Sequence, residues 1–439
     1  MNKLPNHELS VMKCPHSLEE VDLFSPGAQE HWYDAYPILH AESPVTRLPG
    51  EGLFPGTDAY ILTKYADIAR VVKDWERYPP TLSMFVEQAA DISEDDPNAL
   101  VNAMQISIRT LRPNPEMWRA HRQELTDPWV GPGASRHTEM ITKLVDELID
   151  NWIDRGEVEF VHEFARPLPQ MVMAKVLGFP LEDLEQQAKW GNAQVKSFVY
   201  GRGHNNKLTQ EEMEEQFAIL AGFNEYVLDK VKEKRKNPKE DMISFLCDVT
   251  YSPLERKLTD MEIVGVVYAM VIGGLETTQY ALEEQAQLLC ENPQTWDDLK
   301  ADRSKLRHFT EEGMRLRSPT QGLSTRVTSQ DEDFQGVTVP KGSLLHLRWA
   351  AGNVDPEEWG DCPYDIDLNR KGVARHLTFS QGPRVCPGAG ISRVEQMIAW
   401  QRLFERLDSI EYDDGNTFLH QPGIMLGTFN LHLRFQKAG

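Results

Sequence analysis

Phe379-Ser380-Gln381-Gly382-Pro383-Arg384-Val385-Cys386-Pro387-Gly388 is the stretch on which the reading of this chain turns. Helical sequence follows it over residues 391–407, so Cys386 stands just before a helix. There the positive end of the helix dipole and unpaired backbone N–H groups stabilise a thiolate. A lone cysteine is more often a buried small hydrophobe, by about four to one. The neighbours reverse those odds: Gly382 and Gly388 let the backbone come close to a flat partner, Phe379 can pack beside it, and Arg384 can neutralise an acidic edge.

These demands suit a haem with its iron on Cys386 and a propionate on Arg384. Working upstream, Glu312 and Arg315 face one another at i, i+3 on a helix, which alone reads as an ordinary solvated pair. Further back, the capping box Thr259/Glu262 and the apolar run 263–275 predict a helix to about residue 290, where Asn292-Pro293 stops it. Midway along it lies Gly273-Gly274-Leu275-Glu276-Thr277-Thr278. Adjacent glycines cost roughly 1 kcal/mol each inside a helix, so they mark a place where something approaches the backbone. Thr277, four residues after Gly273, can bond its carbonyl and widen the helix locally. Earlier still, Trp118 and Arg122 share one face at i, i+4 and can reach the same propionate.

Taken in order along the chain, these parts resemble the cytochrome P450 family, whose haem-binding signature is the FxxGxRxCxG run. The resemblance covers about residues 35–435. It implies a mainly α fold with a smaller β-rich region, a long central helix over the haem, and a single domain over residues 1–439 with 1–34 as an amino-terminal extension. It implies haem b with Cys386 as the axial iron ligand. Phe379, Gly382, Gly388, Gly273 and Gly274 would lie at the haem, with Trp118, Arg122, Arg326 and Arg384 at its propionates. Glu276 and Thr277 would form the family's acid–alcohol pair, which delivers protons for O2 cleavage. Glu312 and Arg315 would be its buried brace; Arg370 is the candidate third member, because Asp365 stands at the common arginine position.

The activity so implied is an O2-dependent monooxygenase that hydroxylates or O-dealkylates a small, apolar organic substrate. A peroxide-driven oxygenase and a haem-thiolate binding or sensing protein are the alternatives, and neither needs the Glu276–Thr277 relay. No GxGxxG fingerprint follows a strand, so NAD(P)H acts only indirectly, through a ferredoxin or flavodoxin with its reductase. Pocket-lining segments are expected at residues 83–92, 197–203, 270–278, 322–325 and 423–426.

Composition sets outer limits. Lys+Arg 46 against Asp+Glu 68 leaves a net charge of −22, which argues against nucleic acid and anionic membranes as partners. The first thirty residues hold no apolar run, so a cytoplasmic protein is expected, and a monomer. The five cysteines (Cys14, Cys247, Cys290, Cys362, Cys386) form no CxxC pair, which fits neither a disulfide framework nor a cysteine-rich zinc site. Family ferredoxins are themselves acidic, so the acidic excess is expected at residues 94–96, 211–215 and 331–333. The face behind Cys386 is expected to be basic, through Arg119, Arg375 and Arg393. Periodicity predicts helices at 27–40, 136–155, 169–177 and 210–236, a strand at 59–63, a hairpin at 325–339, a closing strand pair within 418–435, and a surface excursion over 78–115.

Overall fold

The computed structural model describes residues 12–81, 83, 93, 96, 99–199, 201–202, 205–206, 208–322, 325–421 and 423–439, without the side chains of 197–199, 201–202 and 205–206. The predicted long helix is two helices, Asp260–Gly274 and Glu276–Glu291, separated at Leu275 (φ −95°, ψ −62°) next to the paired glycines. Its first turn carries the expected capping box, with Glu262 N donating to Thr259 Oγ1 (3.2 Å) and Thr259 N to Glu262 Oε2 (2.8 Å). Together, Asp260–Glu291 is long and apolar enough to cross a bilayer. Protein covers it instead: Ile263, Val264, Val267, Leu282 and Leu289 are all buried in the core.

The helix Ala103–Leu111 lies along Asp260–Gly274, with Ile106, Ile108 and Leu111 buried. Gly265 makes this crossing possible, since a Cβ there would stand 2.3 Å from the Ala103 carbonyl oxygen. This corrects the reading of residues 78–115 as surface excursion alone: alternating polar residues hide a core helix. Thr138–Asp150, Pro167–Leu177, Gln210–Lys236, Leu306–Leu316 and Ala389–Arg406 complete the helical body. Trp152, Phe164, Phe223, Trp400 and Phe404 fill its centre.

The principal sheet runs Val45–Leu48, Ala59–Leu62, Leu344–Leu347, Thr325–Val327, with one parallel pairing, that between Ala59–Leu62 and Leu344–Leu347. Both inner strands are buried at every residue, as a sheet covered on two sides requires. The expected hairpin at 325–339 is narrower: Glu332–Phe334 pairs with Val337–Val339 across Gln335 (φ 53°) and Gly336 (φ 78°), while Thr325–Val327 joins the principal sheet.

The closing strand pair expected within 418–435 is also corrected. His432–Lys437 pairs with Leu407–Tyr412, and with Glu157–Glu159 on its other edge. The segment before it pairs with itself at a single antiparallel bridge, His420–Thr428, flanked by Gln421 N donating to the Gly427 carbonyl (2.8 Å) and Phe429 N to that of Leu419 (3.1 Å), and is tied further by side chains, Asn416 Nδ2 donating to the His432 carbonyl and Asn430 Nδ2 to that of Gly415. The amino-terminal segment packs into the body: Leu23, Trp32, Tyr36 and Leu39 are buried with Ile61, Ala350, Val354 and Leu426. The architecture is mainly α with small β regions, in line with the expectation.

Candidate active site

The cysteine loop is closed by one backbone bond, Cys386 N to the Phe379 carbonyl (2.8 Å), and turned by left-handed residues at Ser380 (φ 58°) and Gly382 (φ 73°). Gly382 answers to protein packing: a Cβ would lie 2.7 Å from the Val72 carbonyl, at the end of the helix Tyr65–Lys73. At Gly388 a Cβ would meet only Cys386 Sγ and Ile391 Cγ2, both at 3.9 Å, an ordinary contact. Gly382 is thus required by packing against the protein's own backbone, whereas Gly388 borders the open space beside Cys386. Burial pushes the Cys386 thiol up, while the N–H groups of Gly388 and Ala389 and the cations of Arg122 and Arg393 pull it back.

Between this loop and the helix Asp260–Gly274 lie two cavities that share Ala269, Met270 and Pro387. One, about 170 Å³, is lined by Cys386, Phe379, Gly388, Gly273, Gly274 and Thr277. At Gly273 a Cβ would meet nothing within 4 Å, so this glycine borders the open space; at Gly274 it would press on Met173 Cγ at 2.9 Å. The other cavity, about 230 Å³, is lined by Arg112, Trp118, His121, Arg122, Arg326 and Arg384.

That second cavity concentrates positive charge. Burial lowers Arg326 to about 10. Burial, with Arg112 and Arg326 adding, lowers Arg384 to about 9. Burial, with Arg122 adding, lowers Arg112 to about 10. Among the described residues no carboxylate forms an ion pair with any of these three. Arg112 Nε and His121 Nε2 are enclosed without a hydrogen-bond partner. Unpaired buried cations are costly, and an anionic edge bearing two carboxylates would relieve them. The residues present therefore fit a haem, for which Cys386 would supply the sulfur ligand and Arg112, Arg326 and Arg384 partners for the propionates.

Trp118 and Arg122, which line this cavity, also make contacts within the protein. The Trp118 indole N–H donates to the Arg112 carbonyl, so Trp118 serves as a platform, with the Arg384 guanidinium 3.9 Å above its ring. Arg122 donates to the Val385 carbonyl and, from Nε, to Asp127 (3.3 Å), fixing the residue next to the cysteine. Arg112 and His121 were not singled out by sequence. His121 could have been, being three residues after Trp118 on the same helical face; Arg112, at the end of an unmotivated helix, had no signal. Glu395, buried in the wall of the sulfur cavity and pushed well up by burial alone, was missed as well.

Glu276 and Thr277 are consecutive and border different cavities. Thr277 Oγ1 donates to the Gly273 carbonyl (2.7 Å) beside Cys386, and Thr278 Oγ1 donates to Ser392 Oγ (3.0 Å). Glu276 lines a separate cavity of about 440 Å³ together with Arg166, Asn192, Lys196, Gln279 and Tyr280. Burial raises it to about 7, opposed by the Tyr280 O–H donating to its Oε2 (2.8 Å) and by Arg166 and Lys196.

Beneath the loop, Glu312 and Arg315 pair in two places, Nε to Oε2 (2.7 Å) and Nη2 to Oε1 (2.8 Å), and both are fully enclosed. Arg370 Nε also donates to Glu312 Oε1 (2.8 Å), the place left by Asp365. Of the expected basic face, Arg119 is exposed, Arg393 is paired with Glu311 (2.5 Å) and Arg375 with Glu358 (3.0 Å). Of the expected pocket segments, residues 84–92 and 200 and the side chains of 197–199 and 201–203 lie outside the described residues, as do 323–324, and so do residues 94–95 of one expected acidic patch. Ser83 receives a hydrogen bond from Arg384 (3.1 Å). Met425 lines the Glu276 cavity rather than the sulfur one.

The family model described as Cytochrome P450 matches residues 82–435. The vitamin D(3) 25-hydroxylase of Pseudonocardia autotrophica is 26% identical over 392 residues, 88% of this chain and 89% of that protein. Cytochrome P450(MEG) of Priestia megaterium is 27% identical over 359 residues, 81% of this chain and 83% of that protein. Among solved structures, P450BioI in complex with acyl carrier protein ligated to hexadec-9Z-enoic acid aligns with a TM-score of 0.78 at 24% identity, covering 93% of this chain and 99% of that one, a likeness of fold.

Proposed function

The chain belongs to the cytochrome P450 family, monooxygenases that use haem b, O2 and electrons from redox partners, and from this premise we propose that it hydroxylates or O-dealkylates a small, largely apolar organic molecule. It acts as a single-domain monomer in the bacterial cytoplasm, fed by a ferredoxin or flavodoxin with its reductase. When bound, haem supplies the iron at which O2 is reductively activated and one oxygen atom passes to the substrate. Cys386 would hold that iron, and Arg112, Arg326 and Arg384 would hold the propionates.

The observation that carries the reading is the Thr277 hydroxyl at the edge of the Cys386 cavity, with the buried carboxyl of Glu276 next to it in the chain. With its own proton donated to the Gly273 carbonyl, Thr277 Oγ1 offers only lone pairs to the sulfur cavity, so it accepts a hydrogen bond there. A proton must come from elsewhere, and Glu276, raised to about 7 in a polar cavity with Arg166 and Lys196, can take one up and release it near neutral pH. Ala269, Met270 and Val266 present apolar surface beside the slot, which favours a hydrophobic substrate. The relative named as a vitamin D(3) 25-hydroxylase supports the same class. O-dealkylation uses identical chemistry, since hydroxylating a methoxy carbon gives a hemiacetal that loses formaldehyde.

Thr277→Ala tests the assignment in the reconstituted system. Product formed per NAD(P)H consumed falls by about tenfold or more while hydrogen peroxide is released. Parental coupling without peroxide release would overturn the relay.

A further inference from the structure

Away from the haem slot, the chain's amino-terminal segment runs beside the start of the helix Trp32–Glu42. The Sγ of Cys14, a ring nitrogen of His31 and a carboxylate oxygen of Asp34 all lie within 4.8 Å of one another. His31 and Asp34 are one turn apart at the helix start, with side chains only 3% and 11% exposed. His31 Nε2 is 2.9 Å from the Met12 carbonyl oxygen. A carbonyl only accepts, so Nε2 carries the proton and, in the neutral ring, the lone pair sits on Nδ1. Nδ1 stands 3.6 Å from Asp34 Oδ2. It is close to the separation, about 3.4 Å, of two ligands on a tetrahedral zinc with bonds of about 2.0–2.1 Å.

We propose that Cys14, His31 and Asp34 bind one zinc ion. Thiolate, imidazole and carboxylate together favour zinc over magnesium or calcium, which take oxygen ligands. The Met12 carbonyl on the far ring nitrogen fixes the ring as an outer partner of a metal-bound histidine does. Three protein ligands leave the fourth position to water, and the thiol proton passes to solvent as the metal enters. No local sequence pattern announces this site, because Cys14 reaches it from the extended segment before the helix. The ion would staple that segment to a helix whose Trp32, Tyr36 and Leu39 are core residues.

The test measures zinc and haem iron together in the purified, desalted holoenzyme. A zinc-to-haem ratio near one is expected. It falls by about tenfold or more in Cys14→Ser, His31→Gln and Asp34→Asn, whose reduced CO-bound spectra stay intact, and it is unchanged in His16→Gln, an exposed neighbour. A ratio near zero in the parent protein loaded with zinc chloride, or an equal ratio in the three variants, overturns the site. Should the variants not fold, alkylation of Cys14 in the parent decides: zinc slows it by about tenfold and a chelator restores it, whereas a rate indifferent to zinc refutes the proposal.

Discussion

Replacing Glu312 by Gln isolates what the buried brace contributes. One carboxylate accepts from Arg315 Nε (2.7 Å), Arg315 Nη2 (2.8 Å), Arg370 Nε (2.8 Å) and the Asp367 backbone N–H (3.1 Å). The amide keeps the shape, removes the negative charge, and turns an NH2 toward groups that are themselves donors. Arg315, fully enclosed, then keeps neutral partners, chiefly the carbonyls of Asn353 and Pro363, each at 2.7 Å, and Arg370 those of Trp359 (2.8 Å), Asp365 (3.1 Å) and Cys362 (3.2 Å). Leaving a buried charge uncompensated costs about 3–5 kcal/mol. At ~2.1 cal/mol/K per residue, a chain of 439 residues unfolds with an entropy of roughly 0.9 kcal/mol/K, so the melting temperature falls by about 3–5 °C. Scanning calorimetry of the holoenzyme, with haem content followed by the reduced CO-bound spectrum, measures this. Adding Arg370→Met removes one of the two stranded cations, so the double variant should be more stable than the sum of the singles by about 1 kcal/mol or more. A Glu312→Gln protein melting within 1 °C of its parent, or strict additivity with Arg370→Met, would refute the charge-pairing account.

Two further outcomes follow from the charges around the slot. Arg384→Leu removes a cation already lowered to about 9 by burial and its neighbours Arg112 and Arg326. Loss of a charge-assisted hydrogen bond worth about 1.5–3 kcal/mol should speed haem transfer to a scavenging globin by roughly tenfold to a hundredfold, while the haem-free chain is stabilised by reduced repulsion; effects of the same sign in both forms would count against propionate binding. Glu276 is raised from 4.5 to about 7, so between those values the folded chain holds a proton that the unfolded chain has released. Its contribution is therefore full below pH 4.5, declines as pH rises, and is gone above about 7. Melting temperatures from pH 4.5 to 8 should show a component of this slope that Glu276→Gln abolishes, and identical profiles would exclude it.

Much of the site is legible in sequence because its parts are local. The i, i+3 spacing of Glu312 and Arg315 is enough to bring carboxylate and guanidinium into two-point contact on one helix. Four residues from Gly273 to Thr277 define the hydroxyl-to-carbonyl bond in the same way. What sequence does not carry is the partner chosen across the fold. Nothing near Trp118 says that its N–H will turn back to the Arg112 carbonyl, or that Arg384 will lie on its ring. Gly382 reads as room for a cofactor, yet the atom it makes room for is the Val72 carbonyl of a distant helix. Strand partners fail for the same reason: the sequence reading places a strand pair within 418–435, but the neighbours of His432–Lys437 are set by where Ala389–Arg406 delivers Leu407–Tyr412 and where Glu157–Glu159 arrives. The break at Leu275 is hinted at by the paired glycines, whereas its sharpness comes from packing, with Gly274 against Met173 on one side and open space at Gly273 on the other.

The interrupted helix has a consequence for how such an enzyme can diversify. Met270 and Gly273 border the sulfur cavity, whereas Glu276, Gln279 and Tyr280 border the polar one. One wall thus divides the chamber proposed to meet substrate from the chamber that holds the proposed proton source. Substitutions at Met270 or Gly273 can reshape the fit while leaving the carboxyl and its Arg166 and Lys196 neighbours unaltered. The partition lets selectivity drift in small steps, with turnover chemistry insulated from each trial.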